Sequence, residues 1–175
     1  MYIKYLQSLT RLITLFFCIA ISLAAANNSF QLAEESREFW NEVLEDSSIN
    51  NKNLLYASYV AYRDSLNDLS IETFQECIKQ NRDNERILGI SHYYIGKNWY
   101  KLGDFQKALN HFLVVSRYDL GSFTKIKYAN YINLALTFYQ MDQNNKARIY
   151  LQKAKEENSP SEYQKMADNI LLQMN

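Results

Sequence analysis

The chain has 175 residues, enough for one domain with a substantial core or for a short helical array. Its 47% hydrophobic content is that of a folded chain, and its balanced formal charge removes any broad electrostatic case for nucleic acid. Only four glycines and one proline, Pro160, argue against a sheet-rich fold with many tight turns and for long helices.

Residues 1–11 carry Lys4 and Arg11 and no acid. An apolar run, Leu12 to Ala26, follows and ends Ala24-Ala25-Ala26 before the polar Asn27-Asn28-Ser29. A basic start, a short apolar run and a small-residue end form the pattern of a secretory signal peptide, cut after Ala26. As a helix the run would reach about 22 Å against roughly 30 Å of hydrocarbon, so cleavage is favoured over a retained anchor. Cys18 sits inside the run behind Phe16-Phe17, without the small residues that precede a lipid-modified cysteine. The expected product is a single helical domain, residues 27–175, exported to a periplasm or secreted, with no membrane contact. Loss of Lys4 and Arg11 leaves 17 of the 19 basic side chains against 19 acidic ones, a formal charge of −2. Cys77 is then the only cysteine, so no internal disulfide forms. Its neighbours Phe74 and Ile78 at helical spacing mark it as a core thiol.

Along the expected mature chain, Ala33, Trp40, Val43 and Leu44 recur at helical spacing and predict a helix from Phe30 to about Asp46, capped by Ser29. Asn50, Asn51 and Asn53 break it. A second helix is expected from Lys52 to Leu66 and a third, capped by Ser70, to Gln80. Asp83 or Asn84 caps a fourth, which runs to Leu102. Gly103 turns the chain, and Asp104-Phe105 opens a fifth helix to about Arg117. After a loop at 118–122, a sixth ends near Gln140. The turn Asp142 to Asn145 leads to a seventh, ending near Glu157. Ser159-Pro160-Ser161-Glu162 reads as a capping box for the last helix. That helix places Tyr163, Met166, Ala167, Ile170, Leu171 and Met174 on one face. Eight helices joined by short turns predict an all-α, antiparallel helix-hairpin array.

Two segments share an internal pattern. His92-x2-Ile95-Gly96-x2-Trp99 is followed by Gly103-Asp104-Phe105 and Ala108-x3-Phe112. Tyr131-x2-Leu134-Ala135-x2-Phe138 is followed by Ala147-x3-Leu151. The nine-residue step from Trp99 to Ala108 recurs from Phe138 to Ala147. Small residues at 96, 108, 135 and 147 let two helices approach closely, and the bulky ones fill the space around that contact. The pattern resembles the tetratricopeptide repeat, W-x2-L-G-x2-Y then A-x3-F then P. The resemblance implies a TPR-like α-solenoid with clear copies at 89–122 and 123–157. A degenerate hairpin at 52–82 precedes them, and a capping helix at 160–173 follows. In the upstream hairpin, Ser58, Ala61, Tyr62 and Ser65 align at an offset of 34 residues, which sets Phe74 where a small residue belongs. His92, Leu120 and the placing of Pro160 also depart from the family pattern.

In such arrays the first helix of each hairpin lines a concave surface. The resemblance therefore nominates Tyr93, Lys97 and Tyr100, beside Lys101, in the first copy. In the second copy it nominates Ile132, Asn133, Leu136 and Tyr139, with Ala129. Tyr93, Lys97 and Tyr100 follow i, i+4, i+7 spacing and form one stripe, either a groove for a peptide or helix or ordinary core. Some family members clamp a partner's terminal carboxylate with Lys and Asn. Lys97 and Asn133 fit that pattern, whereas Tyr93 and Ile132 do not. His92 and His111 lie on two helices of one hairpin without further metal ligands at spacing, so neither a metal nor a cofactor is expected. His92 is expected to fill a packing slot and His111 to be exposed. No phosphate loop or nucleophile motif appears. The expected function is a non-catalytic scaffold or assembly factor that binds a protein or peptide. The alternatives are a secreted effector that binds a host protein, and an enzyme or small-ligand binder with a cavity between helices.

Overall fold

The computed structural model describes residues 31–33 and 37–174, so the signal-peptide reading, the Ser29 cap and Phe30 lie outside the described residues. The chain divides into a unit of residues 1–31 and a unit of residues 32–175, and the second is the subject below. Among the described residues all regular structure is helical. The helices are α1 (Arg37–Glu45), α2 (Lys52–Arg63), α3 (Asn67–Gln80), α4 (Glu85–Lys101), α5 (Phe105–Val115), α6 (Thr124–Gln140), α7 (Asn144–Ala154) and α8 (Ser161–Gln173). None is long and apolar enough to cross a membrane. The eight helices and the absence of strands among these residues agree with the all-α expectation.

Each helix packs on the one before it from α2 onward, and α5 and α4 form the most extensive pair. In addition, α2 touches α4, α4 touches α6, and α6 touches α8. The even-numbered helices therefore follow one another in a layer. Three turns that join this layer to α3, α5 and α7 are built alike. Ser65, Gly103 and Asp142 each adopt left-handed backbone, with φ of 61°, 80° and 57°. The residue after each donates its N–H back five positions: Leu66 to Ala61 (2.9 Å), Asp104 to Trp99 (3.0 Å) and Gln143 to Phe138 (2.9 Å). The left-handed residue donates three back, Ser65 to Tyr62, Gly103 to Tyr100 and Asp142 to Tyr139. This pair of bonds satisfies the last carbonyls of a helix and closes it in a Schellman motif. The turns recur at steps of 38 and 39 residues, from Ser65 to Gly103 to Asp142.

The recurrence corrects the register of the upstream hairpin. An offset of 38 pairs Phe74 with Phe112 and Ser70 with Ala108, so a small residue does stand at the close approach. Ser70 is fully buried, and its Oγ donates to the Ser58 carbonyl (2.9 Å). It therefore joins two helices instead of capping one, and α3 begins earlier, at Asn67. In the next hairpin, a Cβ at Gly96 would lie 2.7 Å from the buried Phe112 ring, so helix approach there requires glycine. The equivalent Ala135, Ala147 and Leu151 are buried. Cys77 is buried too, with Sγ 3.8 Å from Ser58 Oγ.

Other boundaries also differ from expectation. Helix α2 stops at Arg63, because the left-handed Ser65 releases Leu66 to solvent. Asn84, one of the two expected candidates, caps α4 through the Ile87 amide, and Asp104, expected to open α5, caps it through the Lys107 amide. The capping box at Ser159 does not form. Pro160 is extended, with ψ of 140°, which moves the start of α8 to Ser161 and leaves no side-chain cap. The face of α8 buries Tyr163, Ala167 and Ile170, with Met166, Leu171 and Met174 partly covered. The helix expected from Phe30 begins only at Arg37 among the described residues, and Leu32 and Ala33 are not helical.

Candidate functional site

The nominated stripe is brought together, and most of it is covered. Tyr93 and Lys97 on α4 and Ile132, Asn133 and Leu136 on α6 are fully buried. Tyr100 and Tyr139, the last residues of the stripe on each helix, are half-buried. Burial raises the Tyr100 hydroxyl above its ordinary pKa, opposed by a hydrogen bond with Gln140.

The cover is the chain itself. The Ala33 amide donates to Asn133 Oδ1 (2.8 Å). The Ala33 carbonyl accepts from Lys97 Nζ (2.8 Å) and from the Tyr93 hydroxyl (3.1 Å). Asn133 Nδ2 donates to the Tyr93 oxygen (3.0 Å), which closes a ring of bonds and fixes the orientation of the amide. Both main-chain polar groups of Ala33 are thus held by side chains 60 to 100 residues away. This explains why Ala33 leaves the helix that its spacing predicts: its amide and carbonyl are committed to α4 and α6.

Lys97 is an ammonium with no exposed surface, an arrangement that is costly unless the charge is compensated. The Ala33 carbonyl supplies one partner. The rings of Tyr62, Tyr93 and Tyr94 lie 5.0, 5.2 and 5.2 Å from Nζ and present their negative faces. Tyr94 also organises the wall beside the site. It stacks on Phe74 (5.3 Å, 5°) and accepts from Trp40 Nε1 (3.1 Å). Trp40 stacks in turn on Tyr59 (4.3 Å), and Phe39 meets Phe123 edge-on (5.6 Å). Through these two side chains α1 is anchored across α2, α4 and the start of α6. Asp46, just beyond α1, pairs with Arg86 (2.5 Å). Its carboxyl is held below its ordinary value by hydrogen bonds from Ser48 first, then by Arg86.

Two further features lie apart. His111 is not exposed as expected: its Nδ1 faces His92 Nδ1 at 2.9 Å, with one ring donating to the other. Burial, reinforced by the neighbouring His111, lowers His92 to about 4, and burial lowers His111 as well. Among the described residues no three His, Cys, Asp or Glu side chains gather as metal ligands would. A half-open cavity of about 310 Å³ is lined by residues including Tyr118, Asp119, Lys127, Asn130 and Tyr131. Its charged groups, Asp119 and Lys127, are of opposite sign and form no pair of carboxylates.

No protein-family model and no curated protein matches the chain. The site must therefore be interpreted from its own chemistry. The residue that sequence reasoning missed is Ala33, counted there as one apolar position of a helix. The only available signal was the missing apolar residue one turn along, where Ser36 and Arg37 stand between Ala33 and Trp40.

Proposed function

We propose that this protein is an exported, non-catalytic interaction module, a tetratricopeptide-like array whose α2–α4–α6 layer receives an extended peptide from a partner protein. The array reading draws support from the three congruent turns and the contacts between alternate helices. These reproduce the small–aromatic spacing of the two sequence copies. A periplasmic scaffold or assembly factor is the role that best suits an exported chain of this kind.

One observation carries the peptide reading: a non-helical residue, Ala33, has both main-chain polar groups bound by buried side chains of the layer. Recognition of this type engages the backbone and tolerates varied sequence, as in other receptors for extended peptides. Lys97 and Asn133 thus serve a main-chain amide, where family members with a terminal-carboxylate clamp use such residues for a charged end.

The test is selection of linear peptides displayed at high valency against the full chain. Binding of the selected peptides should weaken at least tenfold with Lys97→Met or Asn133→Leu, while circular dichroism stays native. Failure to enrich any peptide, or binding indifferent to both substitutions, refutes the assignment.

A further inference from the structure

Leu32 and Ala33 are buried as deeply as core residues, yet neither is helical, and Ala33 is held through hydrogen bonds to its backbone. The chain that follows is secured separately. Phe39 and Trp40 anchor α1 through ring contacts that involve neither Leu32 nor Ala33. The dipeptide can therefore leave the ring formed by Tyr93, Lys97 and Asn133 without dismantling α1. What sits there also defines what fits. The Ala33 side chain is 1% exposed, which restricts that position to a small residue, and Leu32 places a large apolar side chain just before it.

We propose that Leu32–Ala33 is a tethered ligand of its own groove. The partner is then an extended segment with an apolar–small pair that displaces it by forming the same bonds to Asn133, Lys97 and Tyr93. This inference rests on the peptide-binding reading above and adds the chemistry of the ligand and the closed resting state. A segment held by a short link competes at an effective concentration in the millimolar range. Weak or unmatched peptides are thereby excluded, and a matched one enters because each bond broken is remade. Lys97 and Tyr93 regain a carbonyl partner when the exchange is complete.

The experiment uses the full chain and a fluorescein-labelled peptide of residues 28–36, NSFQLAEES, read by anisotropy. Ala33→Arg in the full chain forces a long cation against Lys97 and expels the segment. That variant should bind the peptide at least tenfold more tightly than the wild type, and a peptide carrying the same Ala33→Arg change should not bind. Equal affinity for the two chains, or no binding to a variant with native circular dichroism, overturns the proposal. Should the variant fail to fold, amide exchange in the wild type decides. The Ala33 amide should exchange at least ~100-fold faster than the amides of α4 and α6, through local opening. Exchange at the same rate as those helices would make the dipeptide permanent core and overturn the proposal. A wild-type dimer that the peptide dissociates would assign the site to a second copy and overturn the separate partner. Loss of the NSFQLAEES peptide alone, with display-selected peptides still dependent on Lys97 and Asn133, defeats the tether and spares the peptide-binding reading. Loss of both defeats both.

Discussion

The hairpins α4–α5 and α6–α7 and the N-terminal cover of Leu32–Ala33 and α1 are buried to similar depth by different means. The hairpins close through small residues set against aromatic or aliphatic ones a few turns away, and through turns that repeat at 39 residues. The cover closes through hydrogen bonds that span 54 to 100 residues and through ring contacts that reach from Tyr59 to Phe123. Local packing of the first kind leaves a periodic trace in sequence, and the second kind leaves almost none. The two tryptophans report on the two regions separately, Trp40 in the cover and Trp99 in a hairpin. Single-tryptophan proteins should show coincident urea transitions, because Trp40 is lodged against Tyr59 and Tyr94 of the hairpin layer. An earlier Trp40 transition would split the molecule into two cooperative units.

The largest expected effect falls on that joint. Trp40→Ala should cost about 3 to 5 kcal/mol, since it removes a buried indole together with the donor to the Tyr94 hydroxyl. The urea midpoint measures it, and a loss below ~1 kcal/mol would make the cover an ornament of an independently stable array. Next comes Gly96→Ala. The new methyl meets the buried Phe112 ring at 2.7 Å, and overpacking of about 1 to 3 kcal/mol outweighs the helix propensity regained, about 0.5 to 1 kcal/mol. The equivalent position in the next copy already carries Ala135, so Ala135→Gly should cost roughly 1 kcal/mol by propensity alone.

The histidine pair gives an effect that depends on pH. Folding holds His92 neutral, at about 4, while the unfolded residue takes up a proton near its ordinary 6.5. The unfolded state thus binds more protons below 6.5. Stability present above that pH is lost as the pH falls from 6.5 toward 4, and the loss levels off below. His92 is partly exposed, so solvent screening reduces the full linkage to about 1 to 2 kcal/mol. The difference in urea midpoint between wild type and His92→Phe, at pH 7 and pH 4.5, isolates this part from the carboxylates. The smallest effect compares two helix starts. Asp104 caps α5, whereas Gln143 at the matching turn caps nothing. Asp104→Ala should lose about 1 kcal/mol, and Gln143→Asp should gain about 0.5 to 1 kcal/mol, both read as shifts in thermal midpoint.

Several features were legible from residues alone. The spacing Gly96–Trp99–Gly103–Ala108–Phe112 located a close helix pair, and Gly96 does abut Phe112. The start of α4 was narrowed to Asp83 or Asn84 and that of α5 to Asp104-Phe105, because a cap depends on residues three apart. The upstream hairpin was misaligned by four residues, about one helical turn. A slip of one turn preserves the helical face, so periodicity could not detect it. The turn at Ser65 could, but a serine does not announce left-handed backbone as Gly103 does.

The sequence by itself determined the helices, their short turns and the two congruent copies, because each depends on neighbours within a turn or two. Only the tertiary structure decided what the stripe of Tyr93, Lys97 and Asn133 faces. A lysine on an amphipathic helix ordinarily marks solvent, and nothing local says that its ammonium will meet a carbonyl 64 residues upstream among three tyrosine rings. The free energy that buries Lys97 comes from partners assembled by the whole fold. For that reason the stripe could be found in the sequence, while what covers it could not.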